Sequence, residues 1–163
     1  MPANISNETI LKHQLVEVIT KGNAHASFEE VVEGIPIKHL GAKPGNLPYS
    51  IWQLVEHIRI TQKDILEFSR NPQHISPEWP DEYWPEQDAP ANEQEWLQSL
   101  DHIKKDRKAF IDLLNDPSAD LYTQYAHGEG QNLLREALLI ADHTSYHMGE
   151  IIVLRRILND WND

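Results

Sequence analysis

Residues 133–158 read LLREALLIADHTSYHMGEIIVLRRIL, and this stretch decides the fold. Steps of three and four from Glu136 reach Ile140, His143, His147, Ile151, Leu154 and Leu158, a mostly apolar stripe at helical spacing. His143 and His147 lie one turn apart on it, so both imidazoles project from one helix face. In a chain with nine histidines such a pair is weak evidence by itself, and its place on an apolar stripe is what gives it weight. Two inward imidazoles need polar partners, because buried polar groups left unsatisfied are costly. A metal ion is one such partner, and buried hydrogen bonds are the other.

Working outward, three more long helical segments are expected. The first runs from about Ser6 to Lys21, with Gly22 as its stop. A short helical piece, SFEEVVEG, and an irregular loop, IPIKHLGAKPGNLP, lead to the second. That second segment starts after Pro48 with Ser50 as its cap and ends at Arg70, before Asn71-Pro72. Its inner stripe reads Leu54, His57 or Ile58, Thr61, Ile65 and Phe68. The connection SPEWPDEYWPEQDAP is too rich in proline to be regular and too apolar to be a disordered linker. Trp79, Tyr83 and Trp84 are therefore expected to fold back onto the helices. Asn92 caps a third segment that the Asn115-Asp116-Pro117 turn closes, and the last segment covers about Gln131 to Leu158. LYTQYAHGEG, just before it, reads as a briefly extended piece with a tight loop at Gly128 and Gly130. With strand signals nearly absent, the economical fold is all-α, an up-down four-helix bundle with long crossover loops, built as one domain over residues 1–163.

Composition narrows the partners. The formal charge of -12 argues against nucleic-acid backbones and anionic membranes. No apolar run approaches membrane-spanning length, and MPANISNETILKH lacks a signal-peptide pattern, so a cytoplasmic location is expected. With no cysteine there is no disulfide, thiolate zinc site or catalytic thiol, and any metal must sit on nitrogen and oxygen ligands.

His57, on the second segment's inner stripe, can join His143 and His147. Three imidazoles from two helices fill three corners of a tetrahedral or octahedral site and leave positions open, as catalytic sites do and structural sites do not. Such a set accepts a divalent ion, zinc or nickel first and iron or manganese next. Several competing motifs are absent. HTSYH carries Thr144 where metalloproteases of the HExxH type carry glutamate, no Glu-x-x-His is present, and neither G-x-S-x-G nor a P-loop occurs.

These residues together resemble the DinB/YfiT-like metalloenzyme family. The resemblance rests on the histidine in WQLVEHIRITQKDIL, on the closing helix with DHTSYHMGE, on the Trp-Pro-rich loop and on the HGEGQ turn, and it extends over nearly the whole chain. It implies a four-helix bundle, usually dimeric, whose divalent metal would sit here on His57, His143 and His147. It also implies a small-molecule substrate, with hydrolysis or transfer of a low-molecular-weight thiol as the reaction classes, and a homodimer as the assembly. The five tryptophans, several of them in loops, add to the expectation of a dimer.

A metal-bound imidazole donates its other N–H to a carboxylate or carbonyl. Asp64, seven residues after His57, and Glu150, three after His147, are candidates for that role, whereas Asp142 points away as a cap or surface residue. Glu129 in the HGEG loop is the candidate catalytic base, and His127 beside it a spare ligand or proton carrier. His13, His25, His39, His74 and His102 have no companion at ligand spacing and read as surface or packing residues. The alternative to an enzyme is a non-catalytic metal- or ligand-binding bundle that acts through a partner.

Overall fold

A computed structural model describes residues 6–161, and every regular element among them is helical, with no strand. Each long helix starts where the sequence offers a side-chain cap. Ser6 accepts from the Thr9 N–H at the head of α1 (Asn7–Thr20), and Ser27 with Glu30 forms a capping box on the short α2 (Phe28–Val32). Ser50 and Gln53 form the same box on α4 (Ile51–Arg70). Asn92 and Asn132 cap α5 (Glu93–Leu114) and α6 (Leu133–Ile157). Each cap satisfies an otherwise orphaned N–H and contributes about 1 kcal/mol to the helix it starts.

Two expectations are corrected. IPIKHLGAKPGNLP is not wholly irregular, because it carries the one-turn α3 (Ile37–Leu40) and a 3₁₀ turn at Pro44–Asn46. LYTQYAHGEG forms no extended element. It is a compact loop in which the Tyr125 N–H donates to the Gln131 carbonyl and the Leu134 N–H to the Leu121 carbonyl, at 2.8 and 3.0 Å. The return is made at Gly130, whose φ of +108° is open to glycine and hostile to other residues.

α4 lies between α5 and α6, α1 packs on both α5 and α6, and α2 covers α6. The buried apolar side chains fall into two clusters. One gathers α2 and the first half of α4 around the last part of α6, through Val31, Ile51, Leu54, Ile58, Ile151 and Leu154. The other joins α1, the end of α4, the end of α5 and the start of α6, through Leu15, Ile65, Leu66, Phe110, Leu114 and Ile140. Along α4 the switch falls between Ile58 and Ile65, and along α6 between Ile140 and Met148. His143 and His147 fall in that seam on α6, and His57, one residue before Ile58 on α4, borders it. Among the described residues no helix is long and apolar enough to cross a membrane.

Candidate metal centre

His57, His143 and His147 come together as their spacing predicts. One ring nitrogen from each lies within 4.8 Å of the other two. His57 and His147 are buried, at 2 % and 6 % exposure, and His143 is half-buried. The Nε2 atoms of His57 and His143 stand 2.9 Å apart. An ion at about 2.0–2.1 Å from each imidazole, with tetrahedral or octahedral angles, holds its nitrogens roughly 2.9–3.4 Å apart, so this pair already has ligand spacing.

The other ring nitrogens are committed, and that fixes which atoms face inward. His57 Nδ1 donates to the Tyr83 carbonyl at 2.9 Å, and His147 Nδ1 donates to Glu150 Oε2 at 2.6 Å. Each bond places a proton on Nδ1 and leaves Nε2 as a lone pair, the tautomer that metal ligation requires. Burial pushes the His57 imidazolium down to about 4, against the Tyr83 bond, with the charge of His147 acting in the same direction. Burial likewise takes His143 down to about 3, helped by His147 and His57. The His57 and His143 rings are therefore neutral at physiological pH. Three imidazoles around one point, with the outer nitrogens of His57 and His147 committed to other partners, form a donor set that fits a borderline divalent ion.

The Trp-Pro connection supplies the rest of the site. Trp84 stacks flat on His57, with ring centroids 3.8 Å apart and planes 7° off parallel, and Tyr49 stacks on Trp84 with centroids 4.2 Å apart. Tyr83 is buried, and its hydroxyl donates to Asp64 Oδ2 at 2.6 Å. Asp64 thus supports His57 indirectly, by anchoring the residue whose carbonyl receives the His57 proton. His74, expected to be an ordinary surface or packing residue, bonds the other Asp64 oxygen at 2.7 Å and helps hold that anchor. Trp79 folds back only in part, with its ring centroid 6.3 Å from His57 but its surface largely exposed. The roles of the Tyr83 carbonyl and the Trp84 ring had no signal in the sequence beyond the aromatic character of the loop.

Of the remaining candidates, Glu150 borders the triad as its spacing suggested, and Asp142 is exposed. Glu129 is not brought to the histidines. It is exposed, in a loop that His127 ties to the Phe68 carbonyl at 2.9 Å. Phe68 lies eleven residues beyond His57 on α4, which at 1.5 Å per residue is about 16 Å along the axis. His127, spent on that bond, is equally remote. The loop closes the far end of the helices because Gly128 and the Tyr125–His127 stack seat it against the Phe68 ring.

Helices that meet along a polar seam, with three histidines from two of them facing one point, define the class of helical proteins with a three-histidine site. The chain belongs to the DinB superfamily, whose family model matches residues 23–151, a span that includes all three histidines and Glu150. No curated protein and no solved structure gives a significant match.

Proposed function

We propose that this protein is a metal-dependent enzyme that holds one divalent ion, zinc or nickel by preference and iron or manganese as alternatives, on His57, His143 and His147. The observation that carries the reading is the convergence of three ring nitrogens within 4.8 Å, two of the rings oriented by the Tyr83 carbonyl and Glu150. Three protein ligands leave coordination positions open, and an ion so held supplies Lewis acidity to a substrate oxygen or an incoming thiol. The chain's own part is to hold the His57 and His143 rings neutral, to orient the ligands, and to wall the site with Trp84 and Trp79. The reaction class is hydrolysis or thiol-dependent transfer on a small molecule. A thiol would come from a co-substrate, since the chain has no cysteine. With Glu129 distant and Glu150 engaged with His147, neither serves as the protein base in this reading.

The test pairs metal analysis with a substrate panel. Purified protein should contain one equivalent of a divalent ion, and His143→Ala should contain less than about a tenth of that, because one lost ligand of three removes most of the affinity. Ester, amide and low-molecular-weight thiol substrates should turn over only in the metal-bearing protein. Equal metal content in the variant would sink the assignment. A metal-bearing protein that is inert towards the whole panel and binds a partner instead would favour the non-catalytic reading. We further propose a homodimer in solution, consistent with the exposed apolar side chains Ile10, Val18 and Leu138. Light scattering that returns a single 18.8 kDa species at all micromolar concentrations would refute it.

A further inference from the structure

A cavity of about 280 Å³ lies beside the histidine site, on the Glu150 side of His147. It is separate from the point where the three ring nitrogens meet, because Glu150 bonds Nδ1 of His147 and the other nitrogen of that ring is left for the triad. Its walls are apolar and aromatic. Leu54 closes the bottom at 1 % exposure, Tyr49 and Tyr146 form two sides, and Val153 stands at the rim at 49 %. Among the described residues Glu150 is its one charged wall residue. Gly149 borders it with no side chain, and a Cβ built there meets nothing within 4 Å. The helix is thus pared back where the cavity opens.

The chemistry of these walls selects an occupant. A carboxylate has lone pairs for about four hydrogen bonds, and the bond to His147 Nδ1 uses only part of that capacity. Tyrosine faces attract a cation within about 6 Å of the ring. The chain's formal charge of -12 raises the local concentration of cations and repels anions. At the ~30 Å³ that a water molecule takes up in the liquid, the cavity holds about nine non-hydrogen atoms. We propose that this cavity binds a small organic ammonium, an amine with an apolar body, whose N–H groups donate to Glu150 between Tyr49 and Tyr146. The apolar body meets Leu54 and Val153, and the charged end reaches the carboxylate that orients His147. Occupancy of the cavity therefore bears directly on a residue of the triad. A second copy of the chain is the less fitting cover, since laying a helix across the opening would desolvate Glu150.

Phenethylamine, with nine non-hydrogen atoms, is the probe, and phenethyl alcohol and phenylacetate are its neutral and anionic counterparts. Each is titrated into the purified protein near pH 7.5 and followed by amide chemical shifts. The amine should bind at least tenfold more tightly than the alcohol, phenylacetate should not bind, and the shifts should centre on Gly149 and Val153. Gly149→Leu places a side chain in the opening without burdening the helix, and should abolish binding with the fold intact. Glu150→Gln should reduce the amine to the affinity of the alcohol and leave the alcohol unchanged. The proposal is overturned if the amine fails to bind, if amine and alcohol bind alike, if Gly149→Leu still binds, or if the shifts centre on His57 and His143. A dimer that Gly149→Leu dissociates, in a protein that ignores the amine, would assign this face to a second copy and overturn it as well.

Discussion

Replacing Glu150 by glutamine tests whether the carboxylate beside His147 tunes the metal centre or merely sits near it. The substitution keeps the shape of the side chain and a carbonyl that can accept from His147 Nδ1, but it removes the charge. In the structure the bond is 2.6 Å long, its imidazole is buried and its carboxylate is 35 % exposed. A hydrogen bond to a charged group contributes roughly 1.5–3 kcal/mol, and partial exposure places this one at the lower end. A loss of about 1.4 kcal/mol is a tenfold weaker dissociation constant, near the lower end of the roughly 10–100-fold effect expected for a partner behind a metal ligand. Competition against a chromophoric chelator at pH 7.5 measures it directly, with circular dichroism as a check that the helices persist. A dissociation constant within twofold of the parent would refute the argument, since the charge would then contribute nothing to the ion. A loss beyond a thousandfold would refute it too, because it would make Glu150 a ligand.

Two further outcomes follow from burial of the triad. Both His57 and His143 titrate below the ordinary imidazole value, so the unfolded chain takes up protons more readily than the folded one. The stability of the metal-free protein should therefore be full above about pH 6.5 and fall as pH drops from there towards 4, with His57 alone removing up to about 3 kcal/mol at 1.36 kcal/mol per unit. Urea melts at pH 7.5 and 4.5 check this, and a His57→Gln variant with the same pH dependence as the parent would contradict it. Chelation at neutral pH should remove the ion and leave the helical signal, because apolar clusters on both sides of the seam hold the helices without it. Collapse of the far-ultraviolet signal on chelation would make the metal structural.

The helices were legible because their signals are local. Ser50 and Asn92 stand at the cap positions read for them, the starts near Ser6 and Gln131 fall within a residue or two of the observed ones, and period-3.6 stripes run behind them. The triad was legible for the same reason, since two of its members share one helix face and the third lies on another stripe. What supports the triad was less so. A backbone carbonyl such as that of Tyr83 can come from any residue type, and its position depends on how an aperiodic, proline-rich loop folds back. Asp64 read as a candidate acceptor for the His57 N–H, but that proton goes to the Tyr83 carbonyl, and Asp64 bonds Tyr83 and His74 instead, a relation across sequence that no spacing rule encodes. Glu129 illustrates the opposite error. An acid in a glycine-rich loop suggested a base over the site, yet α4 is long enough for a loop at its far end to lie well away from His57.

The division of the interior into two apolar clusters with the histidines at their border separates what keeps the chain folded from the three side chains that could hold an ion. Substitutions in the seam leave Ile51, Ile58 and Ile151 on one side and Leu66, Phe110 and Leu114 on the other in place. A lineage built on this plan can exchange these three side chains, or add a fourth polar one beside them, while the helices stay assembled. The border layer is then free to diversify faster than the architecture, and descendants of one scaffold should differ most where His57, His143 and His147 now stand.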